Sequence, residues 1–210
     1  MGKLPKYFYQ RDNVGQICRE LLGKILVTNF HDQRTSGRIV ECEAYAGITD
    51  KASHAYGGRQ TARVAPMYAE GGVSYVYLCY GIHHLFNVVT NKIQIPHAIL
   101  IRAIEPLDGI DIMMQRSPSK AIAALGKGPG KLCQSLGITT KYSGVSLQSK
   151  ELHLWDDGFI YPDEDIRMSP RIGVNYAAEH AVLPYRLYVH KHPSVSAHQK
   201  GEPFTSWISL

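Results

Sequence analysis

The sequence lacks several features that would assign the protein to a class at once. The four cysteines are far apart and form no CxxC pair: Cys18, Cys42, Cys79 and Cys133. This spacing predicts buried, reduced thiols rather than disulfides or a cysteine zinc site. The ten histidines form no HExxH motif, and the adjacent His83 and His84 would point to opposite faces of a strand. We therefore expect no metal ion and no other cofactor.

Long apolar runs are also missing. No segment approaches the roughly 20 apolar residues of a membrane-spanning helix. The N-terminal stretch MGKLPKYFYQRDN has no apolar core of a secretory signal. We expect a protein of the cytoplasm, associated with the nucleoid, or of the nucleus if the source is eukaryotic. Lys and Arg number 23 against 18 Asp and Glu, and the formal charge of +5 weakly favours a polyanionic partner.

Alternating apolar and polar residues predict strands along much of the chain. The strands are Lys24–Phe30, Arg38–Tyr45, Val73–Tyr80, His83–Thr90, Ala98–Ile104, Leu152–Trp155, Arg171–Val174 and Tyr185–His190. A polar turn at His31–Gly37 joins the first two, and Gly81-Ile82 forms a tight turn between the third and fourth. Consecutive strands joined in this way pair as antiparallel neighbours.

Helical patterns cover fewer residues. Asp12 is predicted to cap a first helix that ends at Gly23. Further helices are predicted at Leu107–Gln115, Ser119–Leu125 and Lys131–Leu136, whereas residues 46–72 have no periodicity and form a long, functional or disordered loop. We predict a single α+β domain over residues 1–210, with a curved, mostly antiparallel sheet, flanking helices and a protruding β-hairpin.

The segment RIVECEAYAG at residues 38–47 raises a question about its polar face. Alternation places Val40, Cys42 and Ala44 on one face of the strand and Glu41, Glu43 and Tyr45 on the other. Either that second face meets water, or one carboxylate lines a pocket and does chemistry there. Two carboxylates only about 6–7 Å apart on one strand face leave no room to flank a sugar from both sides. One of them acting alone as a base is therefore favoured.

Other charged residues narrow the chemistry. Lys51 is the only lysine between Arg38 and Asn91, which disfavours an amine nucleophile. Arg102 lies within the apolar strand AILIRAI, and a buried arginine needs a carboxylate partner, for which Glu41 and Glu43 are the candidates.

The segment GKGPGK at residues 126–131 is not a Walker phosphate loop. Leu132 stands where that motif needs Ser or Thr. A turn that starts a helix at Lys131 is the simpler interpretation, and Lys127 and Lys131 could contact a nucleic-acid phosphate there. Tyr80, at the tip of the predicted hairpin, could pack as an ordinary strand aromatic or wedge between stacked bases.

Several of these segments, in this order, resemble one known family. They are RIVECEAYAG, KASHAYGGRQTAR, YVYLCYGIHHLFNVV, ILIRAIEPLDG, GPGKLCQSLGI, PRIGV and LPYRLYV, and they run from about Asp12 to about Val189. The chain resembles the alkyladenine (3-methyladenine) DNA glycosylases. The resemblance implies a monofunctional hydrolase that flips a damaged purine out of duplex DNA and cuts it from deoxyribose, in base excision repair. Its partner would be double-stranded DNA containing alkylated or deaminated purines, and we expect a monomer.

The resemblance also implies roles for individual residues. Glu43, rather than Glu41, matches the general base that activates water, and Arg102 matches the arginine that helps to hold the water and the carboxylate. Tyr80 matches the residue that intercalates where the base was. The remaining assignments are base sandwiching by Tyr45, His54 and Tyr77, exclusion of guanine by Asn87, and DNA backbone contacts by Arg59, Lys127 and Lys131.

Two other functions fit the same residues. One is a non-catalytic nucleic-acid-binding module that uses the basic charge and the exposed aromatics. The other is hydrolysis of free nucleosides, which would need no duplex.

Overall fold

The computed structural model describes residues 1–119, 121–197 and 201–206 and has the predicted α+β class with a mostly antiparallel sheet. Ten strands of the described residues form the sheet: β1 Gly2–Lys3, β2 Ile25–Phe30, β3 Gln33–Tyr45, β4 Ser74–Cys79, β5 His83–Thr90, β6 His97–Pro106, β7 Leu152–Asp156, β8 Ile166–Ser169, β9 Arg186–Val189 and β10 Glu202–Pro203. Its α-helices there are α1 Lys6–Tyr9, α2 Val14–Leu21, α3 Ile110–Arg116, α4 Ile122–Leu125 and α5 Pro129–Leu136. None of the helices in these residues combines the length and the apolar character needed to cross a bilayer.

Strand β3 occupies the centre of the sheet. The sheet runs β1-β7-β2-β3-β6-β5-β4, and β9, β8 and β10 branch from β3. Residues 33–38 of β3 pair with β2, whereas Glu41, Cys42 and Glu43 pair with β6 on one edge and with β9 on the other. Because this part of β3 has neighbours on both edges and packing on both faces, its polar side chains are buried.

A β-bulge in β3 changes the predicted alternation. The register with β6 is irregular on both sides of Glu41. Ile39, rather than Val40, shares the main core with Cys42 and Ala44, and Val40 packs instead in a smaller cluster with Val195. The predicted face for Val40 is therefore wrong, because a bulge inserts one residue and reverses the side on which the preceding residues lie.

The ends of several elements differ from the predicted ones. The side chain of Asn13, not Asp12, caps α2 by accepting a hydrogen bond from the Gln16 N–H at 2.9 Å. The turn before β3 is confined to His31 and Asp32, both with positive φ. The polar residues after that turn pair with β2, and Thr35 is held by a hydroxyl hydrogen bond of 2.7 Å to Thr28.

The largest error concerns residues 171–174, which were predicted as a strand. The strand lies earlier, at β8, and residues 171–174 form a turn in which Gly173 has φ +78°. Alternation cannot reveal this, because the backbone N–H of Ile172 donates to a side chain instead of to a neighbouring strand. Helices α3 and α4 begin about three residues later than predicted. Residue 120, within the second of these predictions, lies outside the described residues.

Candidate active site

A pocket lies where the end of β3 meets β4, β5 and the loop after β3. It is lined by Tyr45, Ala52, Ser53, His54, Met67, Tyr75, Tyr77, Asn87, Ala98 and Tyr176. The four residues predicted to hold a base all line this pocket, although they come from three separate parts of the chain.

Glu43 lies behind the wall of this pocket and its side chain is fully buried. Its Oε2 accepts a hydrogen bond from the Tyr45 hydroxyl at 2.8 Å, and its Oε1 accepts one from the Ile172 N–H at 2.7 Å. Arg102 forms an ion pair with Oε1 at 3.3 Å. The water-facing interpretation of this strand face is therefore wrong. Glu43 is linked to the pocket lining by its hydrogen bond with the Tyr45 hydroxyl.

Glu41 occupies a different environment, although it lies only two residues away. Its Oε1 accepts hydrogen bonds from the Nε atoms of Arg186 at 2.7 Å and Arg102 at 3.0 Å, and its Oε2 accepts one from the Ser196 N–H at 2.6 Å. Burial alone raises the pKa of Glu41, but the two guanidinium groups and the Ser196 N–H outweigh it, and the pKa lies below its usual value. Unlike Glu43, Glu41 has no hydrogen-bond partner that lines the pocket, and we interpret it as a structural partner of the two arginines.

Arg102 was predicted to pair with Glu41 or Glu43, and it contacts both. Its charge alone would leave the two carboxylates undercompensated. Arg186, which the sequence analysis missed, supplies the second positive charge and is fully buried. Arg186 lies in the mostly apolar segment YRLYV at the start of β9. This pattern could have indicated a buried carboxylate partner, as AILIRAI did for Arg102.

A second buried ion pair supports the pocket from behind. Both terminal nitrogens of Arg171 donate to the Asp50 carboxylate, and one of them also donates to the Ala44 carbonyl at 2.9 Å. The guanidinium lies 4.7 Å from the centroid of the Tyr45 ring. The sequence analysis missed this pair because it placed Arg171 in a strand. Together, Glu41, Glu43 and Asp50 formally balance Arg102, Arg171 and Arg186.

His54, Tyr75 and Tyr77 form an aromatic part of the pocket lining. The His54 Nδ1 lies 2.8 Å from the Tyr75 hydroxyl, and the His54 ring meets the Tyr77 ring edge-on with centroids 4.6 Å apart. Burial, together with the positive charges of Arg63 and Arg59, lowers the pKa of His54 to about 4, so the ring is neutral near pH 7. The Tyr75 hydroxyl therefore holds the His54 ring in place.

Asn87 contributes a rigid polar group to the pocket. Its amide nitrogen donates to the carbonyl oxygens of Tyr75 at 3.0 Å and Leu85 at 3.4 Å. These bonds hold the side chain against β4.

The tip of the β4–β5 hairpin presents Tyr80 to solvent with 90% of its surface exposed. The Ile82 N–H donates to the Cys79 carbonyl at 3.1 Å, so Tyr80 and Gly81 are the central turn residues, rather than the predicted Gly81 and Ile82. Both have positive φ, +50° and +75°. Glycine adopts this conformation freely, whereas for tyrosine it is uncommon and costs roughly 1–3 kcal/mol. The turn holds an exposed aromatic ring away from the body of the protein.

The three residues assigned to the DNA backbone lie on the surface or near it. Arg59 is exposed, and its carbonyl accepts a hydrogen bond of 2.9 Å from the Tyr68 hydroxyl, which ties down the loop. Lys127 is partly buried, and Lys131 is exposed in the first turn of α5. This helix begins at Pro129, not at the predicted Lys131, because proline is favoured in the first turn.

The partly buried, neutral state of His54 leads to a prediction about stability. The unfolded chain protonates histidine below about pH 6.5, whereas folded His54 stays neutral down to about pH 4. Its contribution to stability is therefore fully present above pH 6.5 and is lost as the pH falls towards 4. We expect His54→Gln to flatten the fall in unfolding free energy over this range by up to about 1.4 kcal/mol per pH unit.

Urea denaturation at a series of pH values measures this effect. His153, in β7, has its pKa lowered to about 4 chiefly by burial and provides a matched control away from the pocket. His153→Gln should flatten the curve in the same way. Parallel curves for the wild type and His54→Gln would show that His54 is not held neutral.

The chain is similar to several known proteins. The sequence profile of the methylpurine-DNA glycosylases matches residues 7–193. A Chlamydia abortus protein named "Putative 3-methyladenine DNA glycosylase" is 48% identical over 89% of this chain and 98% of its own length. Proteins of the same name from Chlamydia felis and Bacillus mycoides are 47% and 44% identical, over 88% and 91% of this chain and 94% and 98% of their own lengths.

These matches cover all the elements that build the pocket, and they define the class of protein: it is a DNA glycosylase, a hydrolase of N-glycosyl bonds that acts in DNA repair. The chain belongs to the methylpurine-DNA glycosylase family.

Proposed function

We propose that this enzyme extrudes an alkylated purine of the 3-methyladenine type from duplex DNA and hydrolyses its bond to deoxyribose. The name shared by its relatives supports this substrate class. The observation that carries the proposal is the position of Glu43, buried behind an aromatic pocket and hydrogen-bonded to the Tyr45 hydroxyl in the pocket wall. We include deaminated purines such as hypoxanthine among the proposed substrates.

The pocket suits a cationic purine. Tyr45 on one side and His54 and Tyr77 on the other would sandwich the base, and an aromatic face attracts a cation by roughly 0.5–2 kcal/mol. A neutral His54 adds no repulsive charge. The rigid amide of Asn87 would disfavour guanine, whose exocyclic amine at C2 has no counterpart in adenine. Together these groups favour methylated adenine over the normal bases.

The reaction follows from the leaving ability of such a base. The bond between the sugar carbon and the base nitrogen breaks, and its electron pair leaves with the base. The sugar becomes oxocarbenium-like, and the negative charge of Glu43 stabilises it. Water attacks the sugar carbon and gives its proton to Glu43, while Arg102, at 3.3 Å, holds the carboxylate in place. The product is an abasic site with an intact backbone.

DNA contacts would come from the exposed residues. Tyr80 would fill the gap that the extruded nucleotide leaves, and Arg59, Lys127 and Lys131 would contact phosphates. The strained turn conformation of Tyr80 supports the wedge role, because strain of this kind is retained mainly where function requires it.

The direct test uses duplexes that each carry one lesion: 3-methyladenine, 7-methylguanine, hypoxanthine or ethenoadenine. Released base and abasic sites are counted, and an undamaged duplex is the control. We expect base release from the methyladenine duplex and strand breaks only after alkaline treatment. Abasic sites no more frequent than in the undamaged control would contradict the proposal.

The same assay distinguishes hydrolysis of free nucleosides. An enzyme that acts on duplex DNA loses affinity with salt, with a log–log slope of about −0.9 for each phosphate contact. We expect such a slope for the lesion duplex and no turnover of free 3-methyladenosine analogues. Equal rates on nucleoside and duplex, without salt dependence, would favour the nucleoside hydrolase.

Removal of the wedge should weaken capture of the damaged duplex. Tyr80→Ala is expected to lower affinity for the lesion duplex about tenfold or more, the usual loss for one base–aromatic stack of roughly 1–3 kcal/mol. Tyr80→Phe, which keeps the ring, is the matched control and should bind normally. Fluorescence anisotropy measures the affinity. Wild-type affinity and single-turnover rate in Tyr80→Ala would exclude the wedge role.

A further inference from the structure

Two segments of the chain are joined along one side of the pocket. We call residues 50–54 the histidine loop, because they include His54. We call residues 171–180 the carboxylate segment, because its Ile172 N–H donates to the Glu43 carboxylate. Besides the ion pair between Asp50 and Arg171, the Lys51 N–H donates to the His180 Nδ1 at 3.1 Å, and the Lys51 Nζ donates to Glu179 at 2.7 Å. The two segments are therefore held in a defined position relative to each other.

Each segment carries a different part of the site. The histidine loop supplies His54 to the aromatic wall. The carboxylate segment supplies the Ile172 N–H, which donates to Glu43. Their relative position consequently decides how a base held by the wall is placed with respect to the carboxylate.

Tyr176 joins the two segments at the pocket itself. Its hydroxyl donates to the Ala52 carbonyl at 3.0 Å, and the residue lines the pocket. The Asp50 and Arg171 side chains are fully buried and cannot touch a ligand, whereas 68% of the Tyr176 surface is exposed. A ring that is fixed at one end and open over most of its surface is placed to be covered by an entering nucleotide.

The backbone after Tyr176 has an unusual conformation, which indicates that tertiary contacts impose it. Ala178 has φ +49° and ψ −126°, a region that residues other than glycine rarely adopt. Val174 and Ala177, on either side of Tyr176, pack with Ala52 in a small apolar cluster. This strained turn keeps Tyr176 facing the histidine loop.

We propose that Tyr176 is a substrate-positioning residue, whose ring contacts the extruded nucleotide at the pocket mouth and whose hydroxyl ties the histidine loop to the carboxylate segment. This inference rests on the proposed function, because it assumes that a purine nucleotide enters this pocket. It assigns two separable roles to one side chain: the ring acts in binding, and the hydroxyl acts in alignment.

Two variants separate these roles in single-turnover base release from a lesion duplex. Tyr176→Ala removes the ring, and we expect the half-saturating enzyme concentration to rise about tenfold, as for loss of one base–aromatic contact. Tyr176→Phe keeps the ring and removes the hydroxyl. It should leave that concentration within about twofold of the wild type and lower the maximal rate about three- to fivefold, as for loss of one hydrogen bond.

The control is Tyr7→Ala, which removes an equally exposed tyrosine, at 71%, from α1, away from this pocket. It should behave like the wild type. Affinity for an undamaged duplex, measured by anisotropy, should be unchanged in every variant, because no nucleotide is extruded from it. A purely structural role would instead lower the melting temperature and both affinities together.

The outcomes distinguish this inference from the proposed function. If the wild type releases no base, the proposed function fails. If the wild type is active and Tyr176→Ala matches it in half-saturating concentration and rate, the positioning role of Tyr176 is wrong. Equal effects of Tyr176→Ala on damaged and undamaged duplexes would also overturn it.

Discussion

Glu43→Gln is expected to lower the single-turnover rate of base release by about 10²–10⁴, the usual contribution of a general base. Glutamine has the same shape, and its amide oxygen can still accept a hydrogen bond from the Tyr45 hydroxyl or the Ile172 N–H. It cannot take a proton from water, and it leaves the buried cluster of three arginines and three carboxylates with one uncompensated positive charge. Both changes oppose an oxocarbenium-like sugar.

The same variant should still bind the lesion duplex, because Tyr80 and the base-contacting rings are unchanged. Single-turnover rates and anisotropy, measured side by side, separate chemistry from binding. Circular dichroism confirms that the variant is folded. If release continues at the wild-type rate in folded Glu43→Gln, the water is activated by another group.

Glu41→Gln is expected to have its main effect on stability. The change removes the charge that faces both Arg186 and Arg102, and breaking a buried ion pair costs about 3–5 kcal/mol, because a charge is left without its partner. Guanidinium denaturation measures the loss of unfolding free energy. A loss below about 1 kcal/mol, typical of an exposed pair, would contradict the structural role of Glu41.

The pH dependence of this loss has a definite sign. The folded protein holds the pKa of Glu41 below the ordinary value of 4.5. The contribution of Glu41 to stability is therefore present above about pH 4.5 and is lost as the pH falls through the lower folded value. The difference between the wild type and Glu41→Gln should shrink below pH 4.5. The two glutamates form a matched pair: each substitution removes a buried negative charge, but only Glu43→Gln is expected to stop base release in the folded protein.

Local sequence patterns identified the strands that build the pocket. His83–Thr90 was predicted with the observed bounds, and Leu152–Trp155 was one residue short of β7. The backbone hydrogen bonds of these strands go to neighbouring strands. Residues 171–174, with the sequence RIGV, were also predicted as a strand, but the Ile172 N–H donates to the Glu43 carboxylate instead. The strand prediction failed here because a backbone N–H bonds to a side chain of the site instead of to a neighbouring strand.

The assignment of the two glutamates shows a similar division. An arginine within an apolar strand indicated a buried carboxylate partner, and Arg102 has two. Which carboxylate is linked to the pocket depends on two contacts: the Tyr45 hydroxyl bonds to Glu43, whereas the Ser196 N–H, 155 residues along the chain from Glu41, bonds to Glu41. No local pattern contains that information.

The sequence by itself determined the α+β class, the two hairpins built from consecutive strands, β2–β3 and β4–β5, and the pairing of Arg102 with a buried carboxylate. These properties depend on side-chain periodicity and turn chemistry, which are local. Only the tertiary structure decided that Glu41 pairs with two arginines while Glu43 lies behind the pocket, that Asp50 and Arg171 support Tyr45, and that Tyr176 lines the pocket and bonds to the histidine loop. These properties arise where distant segments pack, because burial, charge compensation and hydrogen-bond partners are set by neighbours in space.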